Sequence, residues 1–272
     1  MKIAVAGKGG VGKTLIAGTL ARIYARKGYH VLAVDADPAM NLAYALGIPL
    51  EVSSNIVPVA ENSSLIEERT GAKPGSAFGI FFSLTPTVDD IADKYGVVGP
   101  DGVKLLVMGT IRSGGSGCAC PANSLLSALI RHITLRRGDI VIMDMEAGLE
   151  HLGRATARGF DALLCIVEPN APSVETGIRI RRLAGEIEIR EVLFIGNKIS
   201  AGEEDYIRRA LGEAGLELFH TVPFDQNIIR AGIMRIAPID YSPRSPAILA
   251  IEELGEKLMG RLMANLTPTY KR

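Results

Sequence analysis

The stretch Gly7-Lys8-Gly9-Gly10-Val11-Gly12-Lys13-Thr14 decides the fold. It has the form G-x-x-x-x-G-K-[ST], and it stands between an apolar run at 3–6 and a helix-length segment at 13–27. Gly9, Gly10, Val11 and Gly12 let successive backbone N–H groups turn toward phosphate oxygens, and the following helix N-terminus adds a favourable dipole. Lys13 is then placed to bridge β- and γ-phosphates, and the Thr14 hydroxyl to ligate Mg²⁺.

Working outward, short apolar runs alternate with helix-length stretches. Strands are expected at 3–6, 30–34, 104–108, 140–143, 162–167, 192–195 and 218–222, with helices at 13–27, 123–136, 173–186 and 203–214. Most runs are continuously apolar, the pattern of strands covered on both faces. This rhythm predicts an α/β fold: a doubly wound, mostly parallel sheet of about seven to eight strands with helices on both sides. The stretch 48–103 breaks the rhythm with five prolines and reads as an excursion over the surface. A hairpin is expected near 95–108, turning at Gly99-Pro100-Asp101-Gly102. No linker divides the 272 residues, so one domain over 1–272 is expected.

Composition removes several classes. Thirty basic residues balance thirty acidic ones, so no global positive field exists to hold nucleic acid. Aromatic residues are 5% with no Trp, which argues against base-stacking platforms. Three cysteines cannot make a disulfide framework. The apolar run at the N-terminus is too short for a secretory signal, and no window approaches 18 apolar residues. A cytoplasmic protein with no nucleic-acid or membrane partner is the expectation.

Lys8 makes the loop K-G-G-x-G-K-T, which resembles the deviant Walker A ATPases. That group includes nitrogenase iron protein, septum-site and partition ATPases, arsenite pump ATPases and metal-cofactor assembly ATPases. The resemblance implies ATP/ADP and Mg²⁺ as ligands and a homodimer. Lys8 then reaches the partner's phosphates, a charge supplied in trans as by an arginine finger. Asp35-Ala36-Asp37-Pro38 follows the second strand, where a carboxylate points into the ligand crevice of an open α/β sheet. By resemblance this is switch I, with Asp37 orienting the attacking water. Asp144-Met145-Glu146-Ala147-Gly148 reads as Walker B merging into switch II, with Asp144 in the Mg²⁺ shell. Septum-site and partition ATPases more often carry Asp-x-Pro-Ala-Gly, so Glu146 argues against those branches. By resemblance Asn197 contacts the adenine edge, and Pro223-Phe224-Asp225 flanks the base.

Cys118-Ala119-Cys120-Pro121 follows a glycine-rich run, and Pro121 marks the first turn of a helix. Thiols at a helix N-terminus favour the thiolate, which suits soft or borderline metals. One Cys-x-Cys supplies two ligands where a closed site needs four, and a two-fold dimer supplies the rest. The residues alone leave open an incidental pair, a redox pair, or an iron–sulfur cluster between subunits. Cys165 falls inside an apolar strand and reads as core. The four histidines read as structural or solvated.

The loop, the segment 111–121 ending Cys-Ala-Cys-Pro and the Glu-containing switch II together resemble the nickel-insertion ATPases (CooC-type) that mature carbon monoxide dehydrogenase or acetyl-CoA synthase. The resemblance implies an ATP-hydrolysing metallochaperone with such a metalloenzyme as client. The alternatives are a positioning ATPase that moves no metal, or an electron-transferring iron protein. The amphipathic stretch 246–262 lacks the basic face of a membrane-binding helix and is expected to pack on the sheet.

Overall fold

The computed structural model describes residues 1–37, 39–73, 82–109, 120–135, 139–146, 159–189 and 191–266. Its frame is one eight-stranded sheet: β1 (Lys2–Gly7), β2 (Val31–Ala36), β3 (Val97–Val98), β4 (Lys104–Val107), β5 (Ile140–Met145), β6 (Ala162–Val167), β7 (Val192–Ile199) and β8 (Leu218–Pro223). Their order is β3-β4-β2-β5-β1-β6-β7-β8. Every pairing is parallel except β3 with β4, the hairpin expected around Gly99–Gly102. The chain steps to one side of β1 for β2 to β5 and to the other for β6 to β8. The strand order therefore reverses at β1, which is where open α/β sheets bind ligands.

Alternation along the strands sends side chains to two cores. Ile3 and Val5 pack with the helices Lys13–Arg26, Leu42–Leu46 and Pro246–Leu266 on one face, while Ala4 and Ala6 join the helices Ser63–Thr70, Cys120–Leu135 and Ala171–Glu186 on the other. Both cores are continuous and apolar, so burial of this surface, at about 25 cal/mol per Å², dominates stability.

Ile248, Ile251, Leu254, Leu258 and Leu262 are all buried on the sheet, as their helical spacing predicts. The Tyr24 hydroxyl donates to the Gly255 carbonyl at 2.9 Å and anchors that helix. Arg22, buried in the helix Lys13–Arg26, donates to Asp101 in the hairpin turn, to Asp240 and to the Leu46 carbonyl. Two carboxylates around one cation meet the condition under which a buried charge is tolerated.

The stretch 48–103 does more than cross the surface. It carries the helices Leu50–Ser53, Ser63–Thr70 and Ile91–Tyr95, and sinks Val59, Leu65, Ile66, Val88 and Ile91 into the core. Frequent prolines hid these anchors, because each anchor is only one or two residues long. The helix expected at 123–136 runs Cys120–Leu135, with Pro121 in its first turn.

Candidate functional site

The site forms at the C-terminal ends of β1, β2, β5 and β7. Gly7 ends β1 with φ 153°, and a Cβ there would strike the Ile166 carbonyl oxygen of β6, so only glycine leaves the strand this way. Gly12 (φ 92°) opens the helix Lys13–Arg26, and a Cβ there would strike Asn197 Nδ2. The loop is thus wedged against β6 and β7. Inside it, Lys13 Nζ and Val11 N–H both approach the Lys8 carbonyl at 3.4 Å, long for hydrogen bonds. Lys13 is buried, whereas the Lys8 side chain, with Gly9 and Gly10, is exposed.

Two acidic strand ends stand beside the loop. Asp35 and Asp144 are register partners on β2 and β5, and both are fully buried. Asp35 accepts backbone N–H bonds from Asp37 (3.1 Å) and Leu42 (3.0 Å), one on each oxygen. Asp144 Oδ2 accepts from the Thr14 hydroxyl at 2.6 Å, while Oδ1 is buried without a hydrogen-bond partner among the described residues. Burial pushes the Asp144 carboxyl up to about 7 and Asp35 up to about 6; each also feels a neighbouring aspartate. A hydroxyl beside an unsatisfied buried carboxylate oxygen is a hard-oxygen donor set, which fits Mg²⁺. Asp37 is partly exposed, and its Oδ1 accepts from the Ala39 N–H at 2.8 Å.

Asn197 is buried and donates from Nδ2 to the Val11 carbonyl at 2.7 Å, so it touches the loop itself. Asp225 caps the helix Gln226–Met234 by accepting from the Asn227 N–H, and it accepts from the Ala247 N–H as well. Pro223 ends β8 opposite Ile199, whose carbonyl accepts from the Phe224 N–H. These three residues stand on adjoining strand ends and already have structural work.

Sequence reading gave no role to Lys198 or Glu168. Lys198 Nζ donates to the Gly10 carbonyl at 2.7 Å and pairs with Glu168 at 2.6 Å. No local signal marks a lysine that folds back on a loop 188 residues away.

Cys118 and the glycine run before it lie outside the described residues, as do Pro38, Gly148 and His151. Cys120 is the first residue of the helix Cys120–Leu135. The Met108 N–H, just before that segment, donates to the Asp35 carbonyl at 2.8 Å. The lead-in to the cysteines therefore starts at the end of β4, beside β2, the strand that carries Asp35. Cys165 is core as expected: wholly buried, with its thiol pushed up to about 12 by desolvation. Among the described residues no helix is long and apolar enough to cross a membrane.

Comparison with known proteins agrees with this geometry. Residues 2–239 match the CobQ/CobB/MinD/ParA nucleotide binding domain. The carbon monoxide dehydrogenase accessory protein CooC of Rhodospirillum rubrum is 40% identical over 270 residues, covering 99% of this chain and 98% of that protein. An ATP-binding protein of Methanocaldococcus jannaschii is 45% identical over 233 residues, covering 85% and 88%. Septum site-determining protein MinD of Pyrococcus horikoshii, solved with Mg-ADP, superposes with a TM-score of 0.67 at 17% identity, covering 98% of each chain. The chain belongs to the CobQ/CobB/MinD/ParA family of nucleotide-binding domains, and within it is a P-loop ATPase related to the carbon monoxide dehydrogenase accessory protein CooC.

Proposed function

We propose that this ATPase is a metallochaperone: a homodimer, closed by nucleotide, that carries nickel on paired cysteines and delivers it to a metalloenzyme of the carbon monoxide dehydrogenase or acetyl-CoA synthase type. The observation that carries the reading is the 40% identity to the Rhodospirillum rubrum accessory protein across both chains' whole length. The buried apolar face of the helix Pro246–Leu266 weighs against a membrane-positioning role, because that face is spent on the sheet.

In this reading Lys13 bridges the β- and γ-phosphates of ATP, and Thr14 with Asp144 holds the Mg²⁺ shell. Mg²⁺ held there would supply positive charge to neutralise the phosphates. Lys8, exposed at the loop, reaches the partner's nucleotide. Asp37 orients a water that adds to the γ-phosphorus; the β–γ bridging P–O bond breaks, and ADP and phosphate leave. Asn197 offers its side-chain carbonyl to the adenine amine, with Pro223 and Asp225 flanking the base. The Asp35-to-Met108 hydrogen bond gives a physical route from switch I to the cysteine segment. Cys118 and Cys120 from each protomer make a four-thiolate site for the cargo, Ni²⁺ or, in vitro, Zn²⁺.

Anaerobic gel filtration with metal analysis tests this. Wild type with Ni²⁺ or Zn²⁺ and a non-hydrolysable ATP analogue is expected to elute as a dimer holding about one metal per two chains. Cys118→Ser with Cys120→Ser is expected to lose the metal. A double variant that still dimerises on metal addition in the absence of nucleotide overturns the bridging site.

A further inference from the structure

Asn197 and Lys198 are consecutive at the end of β7, and they hold consecutive carbonyls of the phosphate loop. Asn197 Nδ2 donates to the Val11 carbonyl and Lys198 Nζ to the Gly10 carbonyl, each at 2.7 Å. A planar trans peptide points its C=O and the following N–H in opposite directions. Pinning the Gly10 carbonyl toward β7 therefore turns the Val11 N–H away from β7, and pinning the Val11 carbonyl does the same for the Gly12 N–H. The Val11 N–H indeed faces the side where Lys13 Nζ lies, and both donors share the Lys8 carbonyl at 3.4 Å. Donors that share one acceptor at long range are ready for a stronger one, and a phosphate oxygen is such an acceptor.

Lys198 is held in place at a conformational penalty. Its φ is 58°, the left-handed region that side-chain-bearing residues avoid, and the β7–β8 register shifts between Gly196 and Ile199. Bulges of this kind beside a site re-aim one side chain. Glu168, at the end of β6, receives the ammonium at 2.6 Å. Its own N–H is held by the Ser173 hydroxyl at 2.9 Å.

We propose that Lys198 is a positioning residue for the nucleotide's β-phosphate. It acts through the Gly10 carbonyl, with Glu168 as its anchor, and presets the loop's inward N–H groups. This inference rests on nucleotide binding at the loop and is independent of the metal cargo.

The test is calorimetric titration of ADP and AMP into wild type, Lys198→Ala, Lys198→Arg and Glu168→Gln. AMP lacks the β-phosphate, so the ratio of the two affinities isolates the loop. Lys198→Ala is expected to lower the ADP-to-AMP affinity ratio about tenfold, the scale of one charge-assisted hydrogen bond. Lys198→Arg is expected to keep most of the ratio, since a guanidinium can also donate to the carbonyl. Glu168→Gln is expected to lower it about twofold, because the ion pair is partly solvated. A Lys198→Ala protein whose ratio stays within about twofold of wild type overturns the proposal. Equal weakening of ADP and AMP overturns it too, because that is the signature of a general structural role. If Lys198→Ala does not fold, Lys198→Met, which keeps the stem without the ammonium, takes its place under the same criteria.

Discussion

Asp35 and Asp144 are neighbours on adjacent strands, in register and equally buried, yet the chain uses them differently. Asp35 has both oxygens filled by backbone N–H groups of the turn that follows it, so it shapes that turn and the start of the helix Leu42–Leu46. Asp144 has one oxygen on Thr14 and the other without a partner among the described residues. A buried, unsatisfied carboxylate oxygen is unfavourable unless a ligand completes it. The pair shows that burial of an acid does not define its role; the count of donors around it does.

The largest expected break in this comparison is Asp144→Asn. The amide keeps the shape and removes the charge that would hold Mg²⁺, so kcat for ATP hydrolysis is expected to fall about 100-fold or more, several kcal/mol of metal-linked stabilisation. The same variant should melt no lower than wild type in the absence of nucleotide, because it removes an unpaired buried charge. Hydrolysis within about threefold of wild type would remove Asp144 from the metal shell.

Next in size is a pH effect. Asp144, pushed up to about 7, is neutral below that value and charged above it, and metal binding needs the charged form. The Mg²⁺-dependent part of nucleotide affinity is expected to rise about tenfold from pH 6 to pH 8 and then level off. Titrations with and without Mg²⁺ at each pH isolate it; a flat difference between the two series contradicts the assignment.

The smallest expected effect belongs to Asp35→Asn. One amide oxygen can still accept, but the NH₂ group faces the other backbone N–H, leaving a buried donor unmet. A stability loss of about 1 kcal/mol is expected, read as a lower midpoint in urea. A larger loss in hydrolysis than Asp144→Asn shows would reverse the comparison.

Much of this was legible in the sequence because it is local. The phosphate loop, the strand before it and the helix after it lie within one short stretch, and glycine, lysine and threonine at those spacings admit few other uses. The apolar runs gave the strands, and the register of 248, 251, 254, 258 and 262 gave the last helix its buried side. Less legible was 48–103, where single buried anchors such as Ile66 and Ile91 carry no periodicity. Nor does any local signal mark the bond that Asn197 Nδ2 donates to the Val11 carbonyl, between segments 186 residues apart.

By itself, then, the sequence determined a parallel α/β sheet with a phosphate loop after its first strand, acids ending two strands and a Cys-x-Cys pair ahead of a helix. Backbone propensity, periodicity and ligand chemistry are short-range, and they are written in order along the chain. Only the tertiary structure decided which acid is filled and which is open, and that Asn197 and Lys198 hold the loop from behind. Those roles depend on distances between strand ends set by the packing of the whole sheet, which no local stretch contains.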